Sequence, residues 1–458
     1  DKLDSATISR QMRAGLGDGA QPVNARADGD WAAAKAAARR VVAADYEVPY
    51  LSHAPMEPWN CTVEFAGDGE VHIWAPVQTQ DRNRNAAAAA AGVPADKVRL
   101  HTTLLGGGFG RRLGSDGIAA AVVTAKAVNR PVKFFWRRED EFGQGWYRPA
   151  QAARLQAALD AEGRVTGLHV RTAGPALSAS FSPQGLPAGQ LDGSSVQTIR
   201  ESRYKPPAFH VEWVRVDQPV PMAPWRAVGA TQNGYFLESF VDEVARAGGR
   251  DPYQLRRELL AHDPRALHVI DTVAKAAGWG EPLPKGRARG MAFVESYGSL
   301  CAEVAEVSLR DGRPFVHRVV CALDCGSIVL PDGVRSQVEG GILQGLSAVL
   351  GEPSDEHQRR FRALRSGWDA IRPLLRPGTR YSELARVAIE TVRGNGFPEF
   401  LYVTPHGLGL EHTDDPKPVG AQPGTKPDQV LEPGMVINVD MPYTEIGWGS
   451  LHLEDTVL

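Results

Sequence analysis

Two stretches of this sequence carry residues dense enough and spaced closely enough to do chemistry. The first is Gly106-Gly107-Gly108-Phe109-Gly110-Arg111-Arg112, between an apolar run from Val98 to Leu104 and a helical pattern from about Gly117 to Val128. Consecutive glycines let the backbone approach a ligand closely and expose several N–H groups. Two arginines directly after them supply forked donors for phosphate, and a helix N-terminus beyond adds positive dipole. One reading is a site for a phosphorylated cofactor. The other is a tight turn with two solvated arginines, and a glycine run alone does not decide between them. The second stretch reads Pro405-His406-Gly407-Leu408-Gly409-Leu410-Glu411-His412, followed by Glu432-Pro433-Gly434-Met435 to Asp440, and then Leu451-His452-Leu453-Glu454-Asp455. One histidine and two carboxylates at strand ends are hard ligands that suit Mn, Co, Zn or Fe(II) in a water-activating site. His412 is placed to donate to a substrate carbonyl or a tetrahedral oxyanion.

The elements that must position these residues follow from periodicity. Residues 1–45 read as helical and alanine-rich. Val71 to Trp74 reads as a strand, Arg82 to Ala91 as a helix, Val98 to Leu104 as a strand and Val132 to Trp136 as another, an alternation that suggests an α/β unit. Residues 172–200 are rich in Gly, Ser and Pro and read as loop. Phe236, Leu237, Phe240, Val241 and Val244 recur at helical spacing, and Asp251-Pro252 opens a further helix with Asp as N-cap. Val316 to Asp324 reads as a strand and Val334 to Val349 as a helix. The character changes at Gly351, with polar helices over Glu356 to Leu375 and Tyr381 to Arg393. Short strands follow at Tyr402 to Thr404, Met435 to Val439 and Leu451 to Leu458.

Length and composition limit the choices. The 458 residues allow two to four domains, and 43% hydrophobic with 23% charged residues is ordinary for a globular protein. A net charge of −3 points to no nucleic-acid partner, and no apolar run approaches a membrane span. Four cysteines are too few for a disulfide framework, and Cys321 and Cys325 read as small buried residues. The chain begins at Asp1 without a secretory pattern and ends inside a strand-like run, so both ends read as cut. The compartment, cytoplasmic or periplasmic, is left open.

The glycine loop after an apolar strand resembles the molybdenum-cofactor loop of the xanthine dehydrogenase/aldehyde oxidase family. Other segments agree in that family's order: His53-Ala54-Pro55-Met56-Glu57-Pro58, Trp74-Ala75-Pro76-Val77-Gln78, Trp225-Arg226-Ala227-Val228-Gly229, Asp324-Cys325-Gly326 and Gln337-Val338-Glu339-Gly340-Gly341. The Gly-Arg-Arg ending and Glu238 to Glu243 are most similar to the large subunit of the isoquinoline 1-oxidoreductase type. The resemblance covers about 1–349. It implies a molybdopterin-binding subunit fold, mixed α+β and α/β, incomplete at both ends. It implies that Gln78 hydrogen-bonds an oxygen on molybdenum. It also implies that Gly106, Gly107, Gly108, Phe109, Gly110, Arg111 and Arg112 bind the cofactor and that Gln337 holds the pterin. Arg226 would line the substrate pocket, with an ion pair to Glu238 or Asp242 as its ordinary alternative. The implied cofactor is molybdopterin as its cytosine dinucleotide, and the implied reaction is hydroxylation of an N-heterocycle or aldehyde with oxygen from water. Electrons would leave through a separate small iron–sulfur subunit, because no iron–sulfur cysteine pattern exists in this chain. The family's late Gly-x-Gly-Glu-Pro glutamate and its Met-Gly-Gln-Gly segment have no counterpart here. Glu352 lies in a Gly-Glu-Pro, but directly after the glutamine helix.

The last stretch resembles the pita-bread metallopeptidases, the group of methionine aminopeptidase, Xaa-Pro dipeptidase and creatinase. By that resemblance 350–458 is the C-terminal part of such an α/β domain. His406, Asp440 and Glu454 are then metal ligands and His412 contacts the scissile group. Two further aspartates of that family are missing. Three functional expectations therefore stand side by side: a molybdenum hydroxylase subunit, a metal-dependent hydrolase, and an inactive fusion of two incomplete enzymes.

Overall fold

The computed structural model describes residues 3–180, 185–310, 312–349, 355–407, 428–435, 437–445 and 449–457. The chain divides into two compact units, 1–344 and 345–458.

Among the described residues, three larger sheets and a two-stranded ladder of Leu51–Ser52 with Tyr147–Arg148 organise the first unit. The largest has five strands in the order Val23–Asp28, Ala208–Arg215, Val165–Gly174, Gln151–Leu159 and Arg40–Val48. Only the pair Val165–Gly174 and Ala208–Arg215 is parallel; the other pairs are antiparallel. The Arg40–Val48 strand corrects the expectation of an all-helical start. Residues 5–14 and 31–37 are helices, but Val41 and Val42 are β-branched and the segment pairs along its length with Gln151–Leu159. A second sheet is the antiparallel meander Arg287–Ser296, Ser299–Arg310 and Arg313–Asp324. Cys321 and Cys325, expected to be buried, are half-buried.

The third sheet carries the glycine loop. Its order is Val98–Thr102, Val71–Ala75, Asn60–Phe65 and Val132–Phe135, with the first pair parallel. Alternation along Asn60–Phe65 and Val71–Ala75 buries Cys61, Val63, Val71 and Ile73 with Ala87 and Ala91 of the helix Gln80–Ala91 and Ile118 and Val122 of the helix Asp116–Val128. The βαβ connection thus carries the chain from Gln78, at one strand end, to the loop after the next strand.

The helix Gly229–Ala247 buries Phe236, Leu237, Phe240, Val241 and Val244, as its spacing predicts. Its polar side is tied by Arg256, which is fully buried and gives Nε to Glu238 Oε2 at 2.9 Å and Nη1 to Asp242 Oδ1 at 2.6 Å. Glu238 Oε2 also accepts from the backbone N–H of Phe293 at 2.7 Å, which joins helix to meander. The helices Pro252–Leu259 and Pro264–Ala277 are each capped by an aspartate, Asp251 and Asp263, whose side chain accepts from first-turn N–H groups.

In the second unit the helices Asp355–Ile371 and Tyr381–Gly394 pack beside a sheet of Thr404–Gly407, Ile437–Glu445 and Gly449–Val457. The helix Pro331–Val349 carries the chain into it. No helix among the described residues is long and apolar enough to cross a membrane.

Removing one partner of a buried ion pair leaves the others uncompensated, at a cost of about 3–5 kcal/mol. Arg256→Met is expected to destabilise the first unit by that amount in urea denaturation followed by tryptophan fluorescence.

Candidate functional site

The glycine loop is held from both sides. Gly107 and Gly110 have φ of 97° and 98°, and Phe109 between them has φ of 52°. A β-carbon on Gly110 would lie 1.5 Å from the carbonyl oxygen of Pro224, and one on Gly108 would lie 2.5 Å from Gln78 Oε1. Glu57 clamps the start of the loop: its Oε2 accepts from Gly106 N at 2.8 Å, and its own N–H donates to Gly106 O at 3.1 Å. Gln78 holds the end, where Oε1 accepts from Gly110 N at 3.0 Å. The backbone N–H groups of Gly107, Gly108 and Phe109 take no partner among the described residues, and neither does Gln78 Nε2. Gln78 itself is exposed. This leaves three loop amides and one side-chain amide without a partner among the described residues, donors that an anionic, oxygen-rich and sulfur-rich pterin ligand can use. The residues present fit such a group.

Arg226 reaches the same place from another segment. Its guanidinium lies 5.8 Å from the Phe109 ring centre. Nη2 donates to the backbone oxygen of Gln337 at 2.8 Å and to its Oε1 at 3.1 Å, and Nη1 donates to Gln344 Oε1 at 3.3 Å. The alternative ion pair with Glu238 or Asp242 is not formed, because Arg256 occupies both carboxylates. Ala227 and Val228, directly after Arg226, have φ of 70° and 54°. A β-branched residue at positive φ is an outlier, and such strain gathers at functional turns.

Arg111 and Arg112 are placed otherwise than expected. Both are fully buried, turned beneath the loop by the tight turn Arg111–Leu113. Arg111 makes a two-pronged pair with Asp116, at 2.9 and 2.7 Å. Arg112 Nη2 donates to the carbonyls of Glu57 and Pro58, each at 2.8 Å. Their guanidinium groups brace the loop from inside and do not face a phosphate.

Two site residues had no role assigned from sequence, although both lie in the quoted His53–Pro58 segment. One is Glu57. The other is His53, which is buried, with Nε2 at 2.9 Å from Pro224 O and Nδ1 at 3.2 Å from Trp146 O. Neutral imidazole can donate to only one of these, and the shorter distance assigns the N–H to Nε2. Burial pushes the His53 pKa down to about 4, against the pull of the two carbonyls and with added repulsion from Arg111 and Arg148. A polar residue inside an apolar-proline segment was the available signal.

In the second unit, His406 Nε2 lies 3.1 Å from Asp440 Oδ2, with both residues buried. Asp440 is the backbone partner of Glu454 across the sheet. His412 and Glu352 lie outside the described residues.

The chain belongs to the molybdopterin cofactor-binding domain family. That family's signature matches residues 17–260, and a second molybdopterin cofactor-binding domain matches 261–359. Metallopeptidase family M24 matches 343–458. The beta subunit of isoquinoline 1-oxidoreductase from Brevundimonas diminuta is 31% identical over 68% of this chain and 41% of its own length. A nicotinate dehydrogenase subunit of Pseudomonas putida is 30% identical over 67% of this chain and 28% of its own. The chain thus spans less than half the length of these curated relatives. Quinoline 2-oxidoreductase from Pseudomonas putida 86 shares the fold with a TM-score of 0.51 at 21% identity, over 60% of this chain and 38% of that one.

Because the His53 pKa is lowered, the native state binds fewer protons than the unfolded chain between the ordinary histidine value of 6.5 and about 4. Its contribution is therefore complete above pH 6.5 and is lost as pH falls through this window. By linkage the loss reaches about 3 kcal/mol at pH 4. Urea midpoints are expected to fall more steeply with acid for wild type than for His53→Gln, by that difference.

Proposed function

We propose that residues 1–349 are the cofactor-holding part of a molybdenum hydroxylase large subunit, with its site where Gln78, Gly106 to Gly110, Arg226 and Gln337 converge. One observation carries this reading. Three backbone N–H groups without a partner among the described residues, at Gly107, Gly108 and Phe109, belong to the loop whose Phe109 ring faces the Arg226 guanidinium, itself bonded to Gln337. The ligand is molybdopterin, as its cytosine dinucleotide. When bound, this group supplies two-electron oxidation of a carbon–hydrogen bond with oxygen taken from water.

The chain's own residues bind and orient. The loop amides and Gln78 Nε2 donate to acceptor atoms of the cofactor. Gln337 holds the pterin while its Oε1 fixes Arg226. Arg226 presents positive charge where negative charge develops on substrate. The substrate is an N-heterocycle or an aldehyde, and the names of isoquinoline 1-oxidoreductase and nicotinate dehydrogenase support the N-heterocycle. The partner is a small iron–sulfur subunit. Those relatives are named as subunits, and this chain has four cysteines without a cluster pattern. Glu57 is not free to serve as general base, being committed to Gly106, Asn60 and Arg112.

The two pieces join near residue 349. In the second, His406, Asp440 and Glu454 are three of the ligands a dinuclear Mn, Co, Zn or Fe(II) centre would use, and His412 is its substrate contact. The buried His406–Asp440 pair supports metal binding there, but it is equally an ordinary buried pair, so hydrolysis is not the favoured activity.

Elemental mass spectrometry tests the reading on the chain produced together with molybdenum-cofactor biosynthesis and an iron–sulfur subunit. About one molybdenum per chain is expected, falling by roughly tenfold in Gln78→Ala combined with Arg226→Ala. Bound Mn, Co or Zn without molybdenum would contradict it.

A further inference from the structure

The meander Arg287–Ser296, Ser299–Arg310, Arg313–Asp324 has a second face that the cofactor site does not use. Leu300, Ala302 and Val304 point into the core, so Cys301 and Glu303 alternate onto the opposite, half-buried face. In the register Cys301 stands opposite Leu323 and Glu303 opposite Cys321. Cys301 and Cys321 are therefore diagonal neighbours on one face, and their sulfurs lie 3.5 Å apart. One ligand atom from each of Cys301, Glu303 and Cys321 falls within 4.8 Å of the others.

We propose that Cys301, Cys321 and Glu303 bind a thiophilic divalent cation, Zn2+ foremost, with water as the fourth ligand. The spacing is the main argument. Two Zn–S bonds of about 2.3 Å at a tetrahedral angle set the sulfurs about 3.8 Å apart, so the two sulfurs need shift by only a few tenths of an ångström. A disulfide needs a bond of about 2.05 Å, and the sulfurs would have to close by roughly 1.5 Å across a hydrogen-bonded ladder. The donor set agrees with the spacing, because two cysteine sulfurs and a carboxylate oxygen are ligands that Zn2+ takes. Binding releases the two thiol protons to solvent, with no change in oxidation state. Two adjacent antiparallel strands fix all three ligands, so little ordering remains to be done on binding.

The test is a cobalt titration of the full chain, reduced, with its thiols counted beforehand. Co2+ is expected to bind at about one equivalent with a thiolate-to-cobalt charge-transfer band and tetrahedral visible bands, all abolished by Zn2+. Cys301→Ser and Cys321→Ser each remove the charge-transfer band. Glu303→Gln weakens binding by about tenfold or more, and Cys325→Ser leaves the band in place. Cobalt held by His406 and Asp440 would give no thiolate band, so the second unit cannot mimic the result. Absence of the band while both thiols titrate as free would overturn the proposal. So would a band that survives Cys301→Ser and Cys321→Ser, with near-ultraviolet circular dichroism confirming that each variant is folded.

Discussion

The contact of Gly110 with the Pro224 carbonyl is the tightest constraint on the site. A side chain of any kind at 110 would enter that oxygen, 1.5 Å from its β-carbon. The glycine lets the loop press directly on the turn that carries Arg226. That contact sets the distance between Phe109 and the guanidinium, and Gln78 locks it by accepting from Gly110 N. The row of open amides exists because the loop is closed at both ends, by Glu57 at Gly106 and by Gln78 at Gly110.

Holding backbone in this shape costs energy. Ala54, Phe109, Ala227 and Val228 all have positive φ, at about 1–3 kcal/mol each. The surroundings offset this with buried hydrogen bonds, charge-assisted at the two arginines. Arg112 donates to the carbonyls that follow Met56, Arg111 closes on Asp116, and His53 donates to Pro224 O. The arginines are thus better understood as the frame of the loop than as its ligand contacts. Their burial at the tight turn after Gly110 explains why an outward phosphate grip does not form.

Much of this arrangement was legible in the sequence. The strand–loop–helix around Gly106 to Gly110 follows from periodicity and glycine content, and the core face of Gly229–Ala247 follows from 3.6-residue spacing. The order of the motifs shows the family. What the sequence hid depends on tertiary contact. Arg40–Val48 forms a strand because Gln151–Leu159 lies beside it. The partner of Glu238 and Asp242 is Arg256, and no local rule gives the choice between Arg226 and Arg256. The roles of His53 and Glu57 appear only once Pro224 and Gly106 are brought against them. Cys301 meets Cys321 because of strand register, which periodicity along either strand does not supply.

The amides of Gly107, Gly108 and Phe109 are the proposed donors to a bound pterin cofactor. Residue-resolved hydrogen exchange measures this directly, comparing the chain made with molybdopterin biosynthesis against the chain made in cells that lack it. These three amides are expected to exchange faster without cofactor and to become strongly protected with it, while Gly106 and Gly110, bonded to Glu57 and Gln78, are protected in both. Equal exchange at Gly107, Gly108 and Phe109 in the two preparations, with molybdenum shown to be bound in the first, would contradict it.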